Sequence, residues 1–168
     1  MNSDEIKKMS NSYLSFKLEN ELFAAHVSKV LNLLEMTKIT KVPKSPAYML
    51  GVMNLRGTVL PVVDTRMKFG LKISDYTINT CIIVLEIEID GETVMVGALV
   101  DAVQEVLEVE AENILPPPSI GSKYKSEFIE GVTKSGDNFI MILDMDKVFT
   151  TEELSIVKDS LEKSKKKE

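Results

Sequence analysis

The strongest constraint on this chain is a two-residue alternation of apolar and polar side chains that recurs in short runs, each broken by turn residues. In Leu14-Ser15-Phe16-Lys17-Leu18-Glu19 every second position is apolar, which a strand turns into one buried and one wet face. Asn20-Glu21 turns the chain, and Leu22 to Ala25 returns as the partner strand. Gly51 to Asp64 reads as two short strands meeting near Arg56-Gly57. Pro61 lacks an amide hydrogen, which assigns it to a sheet edge or a bulge. Cys81 to Ile89 is apolar and β-branched, Asp90-Gly91 is a hairpin signal, and Val94 to Val100 comes back. Val103 to Val109 follows, and Phe128 to Thr133 pairs with Phe139 to Leu143 around Lys134-Ser135-Gly136-Asp137-Asn138. Met36 to Val42 reads as a further strand, closed by Val42-Pro43 and Ser45-Pro46. About ten short strands separated by turns predict an all-β protein of small barrels or a sandwich.

Two segments carry a different period. Val27, Val30, Leu31 and Leu34 fall at i, i+3, i+4 and i+7, which predicts a short amphipathic helix. Thr150-Thr151-Glu152-Glu153 resembles a capping box, and Leu154, Val157 and Leu161 make a thin apolar stripe on a C-terminal helix. Beyond Lys158 the lysines outnumber the acids and few apolar groups remain, so a frayed Lys-rich tail is expected. The chain thus divides into an N-terminal arm at 1–12, a domain at 13–149, and the helix and tail at 150–168. Sequence identity reveals no internal repeat and no low-complexity linker.

The chain has 168 residues, and 20 Lys and Arg against 26 Asp and Glu give a net charge of −6. A globular fold of this size buries roughly 70% of its unfolded surface, so no metal or disulfide is needed to hold it. The single cysteine forms no internal bridge, and the start MNSDEIKKMS lacks the apolar core of a signal peptide, so a cytoplasmic protein is expected. No apolar run approaches the ~18 residues that span a bilayer. Between Ile73 and Ser122 there is no Lys or Arg, while ten acids occur, which would repel a nucleic-acid backbone.

The inventory for catalysis is poor. His26 is the one imidazole and Cys81 the one thiol, and both read as structural: His26 at a strand end, Cys81 in an apolar run without a cation. No zinc site can be assembled from one of each. Asp144-Met145-Asp146 reads as a solvated strand end whose two acids share a face. There is no nucleophile elbow, Walker loop or dinucleotide fingerprint. Asp64, Asp101 and Asp144 would make a hydrolase only if two of them met within about 10 Å in a cleft. No cofactor is expected, and binding is the default function. Two features support it. Asn54-Leu55-Arg56-Gly57 places a guanidinium and an amide on a strand-to-strand turn, either for a partner contact or to lock its own loop. Val27, Val30, Leu31, Leu33 and Leu34 cover more than one helical stripe, which fits either a junction between two barrels or an exposed groove for a partner helix.

The segment Tyr48-Met49-Leu50-Gly51-Val52-Met53-Asn54-Leu55-Arg56-Gly57-Thr58-Val59-Leu60-Pro61-Val62-Val63-Asp64 resembles the core motif of the CheW-like domain of bacterial chemotaxis coupling proteins. Tyr13 to Phe16, the Val30 segment, Ile39 to Pro43, Gly97 to Val103 and Glu130-Gly131-Val132 support the resemblance in order and spacing. It implies two small five-stranded SH3-like barrels packed side by side around a hydrophobic junction. It also implies an adaptor without catalysis, which binds the cytoplasmic tips of methyl-accepting chemoreceptors and the regulatory domain of the histidine kinase CheA. The family's receptor groove maps onto Leu14, Val27, Val30, Leu33 and Val103, and its motif contact onto Asn54, Leu55, Arg56 and Gly57, with Arg56 as polar anchor. The resemblance further implies a stand-alone adaptor, monomeric in isolation, recruited to membrane receptor arrays without insertion. A regulator of another two-component pathway with the same fold is the alternative reading.

Overall fold

The computed structural model describes residues 11–117 and 128–149. The expected N-terminal arm, apart from its last two residues, and the expected C-terminal helix and tail lie outside the described residues. Among the described residues, ten strands form two sheets. In chain order they are β1 (Ser12–Leu18), β2 (Glu21–His26), β3 (Val30–Glu35), β4 (Met49–Leu55), β5 (Thr58–Asp64), β6 (Cys81–Ile89), β7 (Glu92–Val100), β8 (Ala102–Glu108), β9 (Ile129–Ser135) and β10 (Asn138–Leu143). Two 3₁₀ turns, η1 (Val27–Lys29) and η2 (Ala111–Asn113), and two single-turn helices, α1 (Thr65–Lys68) and α2 (Met145–Val148), complete the elements.

The first sheet has the order β8-β1-β2-β10-β9 and the second β3-β6-β7-β5-β4. Each is antiparallel except for one parallel pair, β2 with β10 and β7 with β5. The two orders describe one topology built twice. Residues 12–68 and 81–148 each run as a hairpin, a crossing strand, a second hairpin and a short helix. The initial hairpins are exchanged: β1–β2 joins β8, β9 and β10, while β6–β7 joins β3, β4 and β5. The repeat that identity concealed is therefore present in three dimensions, and Gly51, Asp64 and Phe69 recur at one constant spacing as Gly131, Asp144 and Phe149.

The glycines show why they recur. Val52 exchanges both backbone hydrogen bonds with Thr40 at 2.8 Å, and Val132 does the same with Leu115 at 2.8 and 2.9 Å. Each bridge brings a loop carbonyl over the preceding residue. A Cβ on Gly51 would overlap the Thr40 carbonyl, and one on Gly131 would lie 2.7 Å from the Leu115 oxygen.

Alternation places the core between the sheets. Leu14, Phe16, Leu18, Phe23, Ala25 and Leu143 of the first sheet meet Val63, Ile83, Leu85, Ile87, Val96, Ala98 and Val100 of the second in one buried cluster, closed by Met145, Val148 and Phe149. The opposite face of the second sheet holds a smaller cluster of Met53, Leu60, Val62, Ile82, Val84 and Leu99. Alternate residues of the first sheet, Ala24, Ile140 and Ile142, are buried on its own inner face. The seam is thus the larger core, and it fixes the two barrels against each other.

Five expectations need correction. The i, i+3, i+4 pattern at Val27 to Leu34 is not a helix, because a single 3₁₀ turn at Val27–Lys29 leads straight into β3. A bulge between Val30 and Asn32 reconciles the helical spacing with a strand: Val30 packs at the seam, and Leu34 packs into the second barrel. Met36 to Val42 contributes only the Thr40 bridge and no strand. Pro61 sits in an interior strand, but opposite Val52, whose own amide and carbonyl face Thr40. That is a non-hydrogen-bonded site toward β4, and the β7 ladder begins only at Val62, so no donor is missed. Asp144-Met145-Asp146 is not a strand end: Asp144 caps α2, its carboxylate accepting from the Asp146 amide at 3.1 Å. The last hairpin is also tighter than expected, since β9 and β10 are joined through Gly136-Asp137 alone.

Candidate functional site

Of the five residues expected to form a partner groove, three meet at the seam. Leu14 on β1 is 6% exposed and belongs to the inter-sheet cluster, with Val30 of β3 and Val103 of β8 packed against it. Those two strands are the outer strands of their sheets, and each follows a crossing of the chain from one sheet to the other. Val27 is half-buried on η1, and η1 touches both β1 and β6. Leu33 points outward from β3 with 45% exposure. The structure therefore joins Leu14, Val30 and Val103 in one cluster and leaves Val27 and Leu33 outside it. The seam itself is filled by the protein's own side chains.

Two more exposed aliphatics lie on the same two strands, Leu31, already among the aliphatics singled out at Val27 to Leu34, and Val106, which was not. Leu31 on β3 is 45% exposed and Val106 on β8 is 59% exposed. The excess of aliphatics at Val27 to Leu34 was the available signal for Leu31. Val106 gave none, because a single valine among Gln104, Glu105 and Glu108 reads as an ordinary alternating strand.

Asn54 and Leu55 end β4, and Arg56-Gly57 forms the two-residue turn into β5, as the composition implies. Asn54 Oδ1 accepts the Gly57 amide at 2.7 Å, which holds the turn. Arg56 has φ of 51°, in the left-handed region that costs a side-chain-bearing residue about 1 kcal/mol. Its side chain is exposed, and none of the ion pairs between described residues involves it.

The three carboxylates considered for hydrolysis are occupied otherwise. Arg66 is fully buried and donates to Asp64 Oδ1 at 3.1 Å and Oδ2 at 3.0 Å, to Asp101 Oδ1 at 2.9 Å, and to the Ser74 carbonyl at 2.9 Å. The Asp64 hydrogen bond comes first among the causes that raise the guanidinium's pKa, against the opposing effect of burial. Asp64 also caps α1 through the Arg66 amide, and Asp101 Oδ2 accepts the Glu19 amide at 2.7 Å. Asp64 and Asp101 do converge, but on a cation that neutralises them, in a knot tying β5 and α1 to the β1–β2 turn. Arg66 was invisible from sequence because a lone arginine after a strand reads as surface.

His26 has a structural role: Nδ1 accepts the Ser28 amide at 3.1 Å, capping η1, and the ring stands edge-on to Tyr13 at 5.1 Å. Burial raises the Cys81 thiol above its ordinary pKa, with a backbone hydrogen bond from Val103 opposing it, so the thiolate is scarce at neutral pH. Among the described residues no three His, Cys, Asp or Glu side chains converge as a metal site, and no helix is long and apolar enough to cross a membrane.

Comparison with known proteins agrees with this architecture. A chemotaxis protein CheW from Rhizobium meliloti is 36% identical over 140 residues, covering 83% of this chain and 88% of the relative. The CheW of Klebsiella aerogenes is 33% identical over 156 residues, covering 93% and 91%. The crystal structure of the scaffolding protein TtCheW from Thermoanaerobacter tengcongensis superposes with a TM-score of 0.74 at 31% identity, covering 86% of this chain and 96% of that one. The fold is the expected pair of five-stranded SH3-like barrels, and the family is one of scaffolding adaptors rather than enzymes. The CheW-like domain model matches residues 12–153, and the chain belongs to that family.

Proposed function

We propose that this protein is a chemotaxis adaptor that couples the cytoplasmic tips of methyl-accepting receptors to the histidine kinase CheA by binding both. The observation that carries the reading is the seam margin. Leu14, Val30 and Val103 from both sheets form one apolar edge, with Leu33 exposed on the neighbouring strand face. Such an edge suits the apolar side of a helical hairpin. Arg56, presented on its capped turn, supplies a polar contact, and its planar fork suits a carboxylate or backbone carbonyls. The names of the relatives support the pathway, since they are chemotaxis proteins and a scaffolding protein. In this reading the protein resides in the cytoplasm and reaches the membrane only through its receptors. The buried Arg66 knot removes the observation a hydrolase would need, since Asp64 and Asp101 are already satisfied.

The test is titration calorimetry of the full chain with a receptor-tip hairpin and, separately, with the regulatory domain of the kinase. Binding of both is expected. No binding of either at tens of micromolar contradicts the proposal. Val30→Asp is expected to weaken the receptor fragment by about 2 kcal/mol or more with an unchanged circular dichroism spectrum.

A further inference from the structure

The repeated topology permits a comparison within the chain, and the comparison exposes an asymmetry. In each half the residue two beyond the helix-capping aspartate, Arg66 or Asp146, reaches across to the point where the chain passes between sheets. Arg66 meets Asp101, at the β7–β8 crossing, and Asp101 in turn accepts the Glu19 amide of the opposite sheet. Asp146 meets Lys29, at the β2–β3 crossing, and accepts the Glu88 amide of the opposite sheet at 2.9 Å. The construction is the same, with the charges reversed.

The environments differ. The Arg66–Asp101 pair has side chains 0% and 18% exposed, and Arg66 is further held by Asp64, Ser74 and the ring of Tyr76 at 5.6 Å. The Lys29–Asp146 pair, with Nζ 3.0 and 2.8 Å from the two carboxylate oxygens, has side chains 27% and 31% exposed. A solvated pair of this kind opens easily, whereas a buried hydrogen-bonded one does not. Lys29 also ends η1, directly before Val30 and two residues after Val27, so the weaker tie holds the turn beside two of the proposed docking residues.

We infer that Lys29 and Asp146 form a latch on the β2–β3 crossing, which sets the position of Val27 and Val30, while the Arg66 knot is its fixed counterpart. The latch deepens the adaptor reading. A partner seated on the margin selects the latched arrangement of η1, and loss of the pair leaves η1 mobile and the margin less preorganised.

Amide hydrogen exchange on the full chain tests the latch without any partner. Asp146→Asn and Lys29→Met are each expected to speed exchange at Ser28 and Val30 about threefold, with the β1, β2 and β10 amides unchanged. The pair Lys29→Asp with Asp146→Lys, which copies the polarity of the Arg66–Asp101 pair, is expected to restore slow exchange. Unchanged exchange in both single variants overturns the inference, as does exchange in the reversed pair as fast as in the singles. Titration of the same variants with a receptor-tip hairpin is expected to show about threefold weaker binding for the singles and recovery for the reversed pair. Faster exchange with undiminished binding contradicts the coupling to docking. If the unsubstituted chain fails to bind the hairpin, the adaptor reading falls, while the exchange result still decides the latch.

Discussion

Arg56 and Arg66 show how differently one residue type is used in this chain. Arg56 is solvent-exposed on a turn, so Arg56→Ala is expected to change stability by no more than about 0.5 kcal/mol. The same substitution is expected to weaken partner binding, and an unaltered binding isotherm would contradict the role assigned to it. Arg66 is the reverse case. Arg66→Ala would leave Asp64, itself 2% exposed, as an unpaired buried charge, and a loss of about 3–5 kcal/mol in urea unfolding is expected. A loss below 1 kcal/mol would show that water reaches the knot. The contrast also marks the limit of reading residues from sequence. A motif with a glycine and an amide announces a turn, so Arg56 was legible. Of the partners of Arg66, Asp64 and Ser74 are close in sequence, but Asp101 comes near it only through strand pairing that a linear pattern does not encode.

At the scale of elements, the hairpins were legible because a two-residue turn and a period of two are both local. Asp90-Gly91 between β6 and β7 is the clearest case. The misread helix at Val27 to Leu34 has an equally physical cause: a 3₁₀ turn followed by a bulged strand shifts the apolar phase and imitates a 3.6-residue period. α1 and α2 were missed because a single turn held by an aspartate cap is too short to show periodicity. Gly131 yields a prediction at this scale. Gly131→Ala must displace the Ile114 methyl or break the Leu115 bridge, so a loss of about 2 kcal/mol or more is expected by thermal unfolding. Gly136→Ala, in the β9–β10 turn with open space around it, meets no clash, and its smaller cost reflects the backbone alone. Equal losses at the two positions would dispose of the bridge argument.

The whole molecule is held by its seam. Because the inter-sheet cluster is larger than the second barrel's own, and because each barrel borrows its first hairpin from the other half, the barrels are expected to unfold together in one transition. Phe16→Ala, at the seam, is expected to cost about 3–5 kcal/mol and to lower the stability of both barrels alike, read by hydrogen exchange in β6 and β10. Separate transitions for the two sheets would contradict this. The exchange of hairpins was beyond the reach of the sequence, since it decides which strands pair without changing the pattern of any. Of the groove residues named from sequence, Leu14, Val30 and Val103 converge at the seam and Val27 and Leu33 lie outside that cluster, while exposed Val106 came from the structure alone.

The central claim is that an apolar edge between two fused barrels receives a receptor's helical hairpin. Methyl and amide NMR shift mapping of the full chain with that hairpin tests it most directly. The account predicts shifts concentrated at Leu14, Val27, Val30, Leu33 and Val103. Shifts confined to the exposed Phe139 and Leu115 of the first barrel, with the seam margin silent, would contradict it.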